Sequence, residues 1–570
     1  LGQESLTTGI YSFGNNNYRI SSLGNGVYTV YSLTQNGFCA ANGNGSMDFA
    51  ASSDAAEAKW LVTKTSDGYV FQSAAHQTYM TSDAGLSSNA ENISISDLNT
   101  SVTDYSVKYD LSALNALDSL NGIQVISRLH TLGLSRSDLM NPEANMTSLN
   151  TNIQSALSGL PTQTVQYTGT DVDDLNQFLQ NNTGKIVQLT QDIQVYKNTN
   201  GSFGIIMVPS DTILDGNGHR LVMKAGYTEA PDVGVVLYVY KDGVIPSTNC
   251  GVKNLSTDIP YVNSINVFSA DNILLENNTL NNATKSGIMI SDEYGSTVNG
   301  IIRGNTINNV GDDAIAVYGN HSNLLIDSNR ISGAKGFAGI AISCLQNGQQ
   351  IRVDNETTGP HDIIVTGNVI SGCSGEALYC IGSYKTYITY NTLRDSILEG
   401  VCLDSGCSGN YFAHNEVVNN GIAGGLPGVS IDNGIYNIVD SNNVYNNSCS
   451  GIKLVRTGLG NIIVNNICTD NAYNQMGAKS SGIDIEPLAV ETENLGYIDG
   501  LGSNWNVVLN NTVTGSHDFG VFIADDDTAN NGGSSCENVI MYNKFSSAYT
   551  FGAADFSSMS STVKNNITLN

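Results

Sequence analysis

Two aspartates, Asp404 and Asp432, occupy the same place in consecutive copies of a repeated phrase. The copies begin at Gly400 (GVCLDSGCSGNYFAHN), Gly428 (GVSIDNGIYNIVDSNN) and Gly451 (GIKLVRTGLGNIIVNN). Successive side chains of a strand face opposite sides, and neighbouring strands lie ~4.7–4.9 Å apart. Stacked copies would therefore make the two aspartates vertical neighbours on an outer face. Carboxyls that close repel each other and raise one pKa, so a purely structural face has no reason to hold them together.

This pair has the spacing of a known kind of catalytic site. Retaining glycosidases hold two carboxyls ~5–5.5 Å apart, whereas inverting ones hold them ~6.5–9.5 Å apart. We therefore predict that Asp404 and Asp432 are the catalytic residues of a retaining glycoside hydrolase. Which one attacks and which one protonates the leaving group stays open. The alternative interpretation is two solvated acids on an ordinary β-face.

Charged residues on the following copies continue the same face. Strand alternation places Lys453 outside on the next copy, and Arg456 follows it in a chain with few basic residues. Alternation also places Asp484 and Glu486 outside on the copy after that. These four residues are predicted to contact a substrate.

The elements that carry these residues repeat along the chain. The first strand of the phrase recurs as GIMIS, AIAVY, GIAIS, EALYC, GIDIE and GVFIA, and several copies start about 23 to 28 residues apart. An asparagine recurs after the second strand, at Asn278, Asn305, Asn329, Asn368, Asn391, Asn415, Asn442, Asn465, Asn511 and Asn543. Alternating apolar residues and Gly/Asn turns predict two short strands per coil. The fold class is therefore all-β, a parallel β-helix, because a propeller blade would need about 40–45 residues.

Three regions are expected. Residues 1–102 form a small β-rich module with Trp60, similar to ricin-type trefoil modules that bind sugars, although a structural module is the favoured interpretation. Residues 103–162 have helical spacing and are expected to connect the modules or cap the solenoid. Residues 163–570 form the parallel β-helix catalytic domain, which begins with a helix followed by a strand.

The amino-acid composition limits the classes of partner that the chain is expected to bind. With 24 Lys and Arg against 52 Asp and Glu, the net charge is −28. That charge excludes nucleic acid as an expected partner and disfavours polyanionic glycans unless Ca²⁺ bridges them, so a neutral oligosaccharide is expected. No apolar run of about 18 residues indicates a membrane span. The low fraction of charged residues, 13%, and the tandem coils predict a secreted or cell-surface bacterial protein. Any surface anchor is expected in a region outside this chain.

Two motifs are interpreted conservatively. The ten Cys lack C-x-x-C spacing, so mostly free thiols and no metal site or cofactor are expected, with a structural Ca²⁺ as the alternative. The run NVGDDAIAVYGN is similar to the Asp-Asp motif of polygalacturonases. Since the chain has no G-H-G, Asp312 and Asp313 are interpreted as turn residues.

One longer stretch resembles a known family. The run LPGVSIDNGIYNIVDSNNVYNNSCSGIKLVRTGLGNIIVNN, followed by SGIDIEPL and SHDFGVFIADD, resembles the lacto-N-biosidase family of β-helix glycoside hydrolases. The resemblance implies a right-handed parallel β-helix and release of lacto-N-biose from milk oligosaccharides by a retaining mechanism with two Asp. It points to Asp432, with Asn433 joining Lys453, Arg456 and Glu486 around the substrate.

Two other functions compete with the hydrolase. A non-catalytic β-helix adhesin would use the long face and the N-terminal module to hold glycans. A Ca²⁺-assisted polysaccharide lyase would retain catalysis but give an unsaturated product.

Overall fold

In a computed structural model, the described residues form an N-terminal β-module, two α-helices and a long parallel β-helix. The structure describes residues 9–97, 141–344, 359–486 and 503–569, except for 14–15, 25–26, 33–36, 43–44, 51–55, 84, 95, 198–203, 230, 241–243, 457, 459, 473–480, 505, 516, 525–534, 536–537, 547–550, 556–560 and 565. The all-β solenoid prediction is confirmed.

The N-terminal module is a ten-stranded antiparallel sheet. Its strands are Gly9–Phe13, Asn16–Gly24, Val27–Ser32, Gly37–Ala41, Met47–Ala50, Lys59–Thr65, Gly68–Ser73, Tyr79–Met80, Leu86–Ser87 and Ser96–Asp97, with a 3₁₀ turn at Ala56–Ala58. Trp60 is fully buried and donates its indole N–H to the Cys39 carbonyl oxygen at 2.8 Å. A buried Trp needs such an acceptor, so this ring stabilises the module rather than presenting a face to a ligand.

Three parallel sheets, rather than two, form the walls of the solenoid. The first sheet comprises Thr164–Tyr167, Lys185–Leu189, Thr212–Asp215, Thr248–Lys253, Asp271–Glu276, Val298–Arg303, Ser322–Asp327, His361–Thr366, Tyr384–Thr389, Tyr411–Ala413, Ile438–Asp440, Ile462–Val464, Val507–Leu509, Val539–Met541 and Thr562–Lys564. The second comprises Ile193–Val195, Arg220–Met223, Ser256–Thr257, Thr279–Asn281, Thr306–Asn308, Arg330–Ser332, Val369–Ser371, Thr392–Arg394, Glu416–Val418, Asn443–Tyr445, Ile467–Thr469, Thr512–Thr514, Lys544–Ser546 and Ile567–Leu569.

The third sheet contains the repeated phrase that begins each coil. It comprises Ile206–Met207, Val233–Tyr240, Asn263–Phe268, Ile288–Ser291, Ile315–Tyr318, Ile340–Ser343, Leu378–Ile381, Val401–Asp404, Val429–Asp432, Ile452–Val455, Ser481–Glu486, Phe519–Ile523 and Phe551–Asp555, with Val244–Pro246 added antiparallel. The prediction of two strands per coil was wrong because strands of the second sheet are only two to four residues long. Such segments are too short to show alternation in the sequence.

Two helices flank the coils. Helix α1, Pro142–Ala156, is capped by the Asn141 side chain, and its Leu149 and Ile153 pack on the outside of the first sheet. Helix α2, Val172–Asn181, is capped by Asp171 and leads into Lys185–Leu189, which confirms the predicted helix and strand. A 3₁₀ turn, Leu157–Gly159, follows α1. The helical spacing expected before residue 141 lies outside the described residues.

The recurring asparagines form a buried ladder inside the turn between the first and second sheets. Each amide donates to a backbone carbonyl of the preceding coil and to the next asparagine along the ladder; for Asn415 these bonds are 2.9 and 3.0 Å. The position predicted at Asn465 was wrong: Asn466 is the ladder residue there, bonded to Val439 and Asn511. The ladder fixes the coil register, because each buried amide is satisfied only by its neighbours.

We expect Asn442→Ala to lower the free energy of unfolding by about 3–5 kcal/mol. Its side chain accepts from the N–H and amide of Asn415 and donates to Phe412 and Asn466, so truncation leaves several buried groups unsatisfied. Asn443→Ala, at the exposed neighbouring position, is the matched control. Chemical denaturation followed by circular dichroism measures the difference, and equal stability of the two variants would contradict the role of the ladder.

Candidate active site

The third sheet stacks the two predicted aspartates directly. Strands Val401–Asp404 and Val429–Asp432 are parallel neighbours, and their register pairs Asp404 with Asp432. Val401, Leu403, Val429 and Ile431 lie in the hydrophobic core, so the alternate side chains face outward. Asp404 is nevertheless buried, so this part of the outer face is largely shielded from water.

Asp404 is held by two hydroxyls. The Tyr379 hydroxyl, from the preceding coil, donates to Asp404 Oδ2 at 2.7 Å, and the Ser405 hydroxyl donates to Oδ1 at 2.8 Å. Burial, followed by the nearby Asp404 charge, raises the pKa of Tyr379 well above its ordinary value, so the phenol keeps its proton and donates. Each carboxylate oxygen of Asp404 thus has a fixed partner.

Asp432 has a different environment. Its Oδ2 pairs with the Arg456 guanidinium of the next coil, while its Oδ1 is buried without a hydrogen-bond partner. Burial and then the Asp404 charge raise the pKa of Asp432 to about 6, with Arg456 acting in the opposite direction. The two stacked carboxyls therefore have different surroundings: Asp404 is clamped by two hydroxyls, whereas Asp432 is paired with a guanidinium and has a raised pKa.

The remaining predicted residues fall into two groups. Arg456 contacts Asp432, whereas Lys453 lies 3.1 Å from Asp484 Oδ2 and 3.3 Å from Glu486 Oε2. Burial opposes the charge on Lys453, but Asp484 and Glu486 outweigh it and raise the pKa of Lys453. Lys453, Asp484 and Glu486 thus form an ion cluster on the coils beyond Asp432.

Asn433 directly follows Asp432 at the end of its strand. It is buried and has a left-handed backbone with φ 60°, a conformation that asparagine tolerates better than most residues. Asn433 therefore ends the strand at the site.

Two carboxyls that the sequence prediction missed also belong to this cluster. Glu376 and Glu399 each stand two residues before the first core residue of a strand, Leu378 or Val401, and these two strands are in register. Burial raises their pKa values to about 7 and about 8; the next cause that raises the pKa is the Asp404 charge for Glu376 and the Glu376 charge for Glu399. The signal was present in the sequence, as an acid at the same place in EALYC and EGVCLD.

Asp313 occupies the equivalent position two coils before Glu376. It lies in the bend before its strand, as predicted, but it is fully buried and accepts from the Tyr318 hydroxyl and, at 2.9 Å, from the Ala338 N–H. Burial raises its pKa to about 7. Both of its oxygens are therefore engaged by local partners, so Asp313 stabilises the turn.

Cys402 shows that the carboxyls form one cluster. It projects outward between them, and its thiol pKa is raised first by burial and then by Glu399, Asp404, Asp432 and Glu376. Four acids are therefore close enough to act electrostatically on one outward side chain. None of the nine cysteines within the described ranges forms a disulfide.

Neither a metal site nor a membrane helix is found in the described part of the chain. Within the ranges given above, no group of three or more His, Cys, Asp or Glu is arranged to hold a metal ion. Among the same residues, no helix is long and apolar enough to cross a membrane.

Arg456→Met tests the electrostatic link to Asp432. Because Arg456 lowers the pKa of Asp432, its loss should let that acid keep its proton to higher pH and move the midpoint of its titration, followed by NMR, upward by about one unit. Arg394→Met, at an exposed ion pair on the second sheet, is the control. An unchanged midpoint in the Arg456 variant would contradict the link.

Comparisons with known proteins are consistent with this architecture. Residues 237–358 and 349–495 match the family model for a right handed beta helix region, and the second match includes both aspartates. No curated protein matches the chain.

Solved structures that match include an epimerase module, a surface adhesin and a tailspike protein. A mannuronan C-5 epimerase A-module of Azotobacter vinelandii is 15% identical, covering 70% of this chain and 100% of its own, with a TM-score of 0.42. PfbA, a surface adhesin of Streptococcus pneumoniae, is 12% identical over 66% and 90%, with a TM-score of 0.39. A tailspike protein of an E. coli bacteriophage is 14% identical over 69% and 73%, with a TM-score of 0.39.

Proposed function

We propose that the chain is a glycoside hydrolase that cleaves a β-glycosidic bond in a neutral oligosaccharide with retention of configuration. The observation that carries the proposal is the in-register stack of Asp404 and Asp432 on a shielded outer face. Side chains on adjacent parallel strands lie about 5 Å apart, which suits a nucleophile and an acid/base on either side of one glycosidic bond.

The different surroundings of the two acids suggest their roles. Asp404, oriented by Tyr379 and Ser405, would attack the anomeric carbon as its carboxylate. Asp432, with its pKa raised to about 6, would protonate the leaving oxygen and then, as a base, activate water to release the sugar. The step balances, because Asp432 recovers from the attacking water the proton that it gave to the leaving alcohol.

The substrate class follows from charge and from the family resemblance. A chain with net charge −28 repels acidic glycans, so a neutral sugar is favoured. The resemblance of residues 426–466 suggests a milk-type oligosaccharide from which lacto-N-biose is released. Under this proposal the protein acts outside the cell or at its surface.

A substrate screen with product analysis tests the proposal. The purified protein is incubated with neutral milk, fructan and plant oligosaccharides, and the first product is followed by NMR. We expect turnover of a neutral β-linked sugar with the β-anomer of the product appearing first.

Each other outcome identifies a competing function. Initial appearance of the inverted anomer would overturn retention. Unsaturated product that chelator abolishes would favour the Ca²⁺-assisted lyase, and glycan binding without turnover would favour the adhesin.

A further inference from the structure

Glu376 and Glu399 have no part in the two-aspartate reaction, yet both lie beside it. They hold the same repeat position on consecutive coils, directly before in-register strands, and are only 6% and 9% exposed. Cys402 lies on the second of these strands, and the charges of both glutamates and both aspartates raise the pKa of its thiol. The two glutamates therefore flank the catalytic pair on its N-terminal side.

One of the two carboxyl oxygens of Glu376 has no partner in the protein. Its Oε2 is buried and has no hydrogen-bond partner. A buried carboxyl oxygen without a partner costs roughly 1–3 kcal/mol, and more when charged, so such a group normally retains its proton, and a bound ligand is one way to satisfy it. A neutral carboxylic acid is a hydrogen-bond donor, and a sugar offers hydroxyl and carbonyl oxygens as acceptors.

We propose that Glu376 and Glu399 form a hydrogen-bond-donating subsite next to Asp404 and Asp432, in which two protonated carboxyls hold oxygens of a neutral sugar. The proposal rests on the proposed function and deepens it, because it assigns the recognition of uncharged oxygen acceptors to this pair. The two glutamates are positioning residues that orient the sugar toward Asp404.

The charged surroundings favour the protonated form. Burial raises the pKa values of Glu376 and Glu399 to about 7 and about 8, and the acids around them add to this. The titratable groups that face the pair are Asp313, Cys373, Tyr379, Cys402, Asp404 and Asp432. As the pH rises through 7 to 8, both donors are lost and negative charge appears beside the sugar, so binding should weaken with rising pH.

Glutamine substitution separates this role from a structural one, because an amide donates like a protonated acid but does not titrate. The probe is the fastest substrate from the screen or, if none is turned over, lacto-N-biose in a calorimetric titration. For the wild-type protein, KM or Kd should rise at least about tenfold between pH 6 and pH 9, because each of the two hydrogen bonds that are lost contributes up to about that factor. Glu399→Gln should remove the part of this rise that Glu399 causes, and Glu376→Gln the remainder, whereas Glu399→Ala should bind weakly at every pH.

Glu416→Gln, on the second sheet, is the control and should keep the wild-type pH dependence. Equal pH dependence in Glu399→Gln and wild type, or equal binding by the Ala and Gln variants, would overturn the subsite.

If the sugar is turned over with a pH-independent KM, this inference fails alone. If lacto-N-biose binds with the expected pH dependence but nothing is turned over, the proposed activity fails and the subsite stands. If no sugar is turned over and lacto-N-biose does not bind, both fail.

Discussion

Asp404→Asn is expected to lower kcat/KM by at least about a thousandfold, because an amide cannot attack the anomeric carbon. The fold should survive, since Asp404 faces away from the hydrophobic core, and an asparagine amide can accept from one of the hydroxyls of Tyr379 and Ser405 and donate to the other. The measurement is kcat/KM on the substrate from the screen, with the melting temperature recorded for each variant.

Asp440 offers a close control for this variant. It is also buried at the end of a strand and accepts from a tyrosine, Tyr411 at 3.3 Å, and from the following serine, Ser441 at 2.8 Å, but it lies on the first sheet. Asp440→Asn should keep full activity. If Asp404→Asn retained more than about a tenth of wild-type kcat/KM, a barrier change under ~1.4 kcal/mol, the nucleophile would be misplaced, and Asp484 or Glu486 would be tested next.

Asp432→Asn should produce the second large effect, and its size should depend on the leaving group. With a natural alcohol leaving group, loss of the proton donor should lower kcat/KM by about 10²–10⁴-fold. With an activated aryl glycoside, whose leaving group departs without a proton, the rate of the first step should fall far less.

The pH dependence of the activity is an independent test of the role of Asp432. Wild-type activity should fall as the pH rises through about 6, because Asp432 then loses the proton that it must donate. Asp432→Asn should lack this limb. A variant that keeps the limb, or that loses equally on natural and activated substrates, would show that Asp432 is not the acid.

The sequence was sufficient to predict the register of the site. Alternating apolar residues at Val401, Leu403, Val429 and Ile431 set which side chains enter the core, and the equal length of the phrases aligned Asp404 with Asp432. Parallel stacking then permits only one pairing, since a slip by one residue would turn the apolar set outward.

The properties of the other carboxyls in the cluster could not be predicted, because they depend on the packing that covers the outer face of the third sheet. Burial of Glu376 and Glu399 raises their pKa values, and that burial comes from packing that a repeat pattern does not encode. The same limit applies to Lys453, which was expected next to the catalytic pair but binds Asp484 and Glu486.

Trapping the covalent intermediate tests the central claim most directly. The protein is incubated with an activated 2-fluoro derivative of the sugar that the screen identifies, digested and analysed by mass spectrometry, with Asp404→Asn treated in parallel. The account predicts one glycosylated peptide, labelled at Asp404 and absent from the variant. A label on any other residue, or turnover of the natural substrate to the inverted anomer with no labelled peptide, would contradict it.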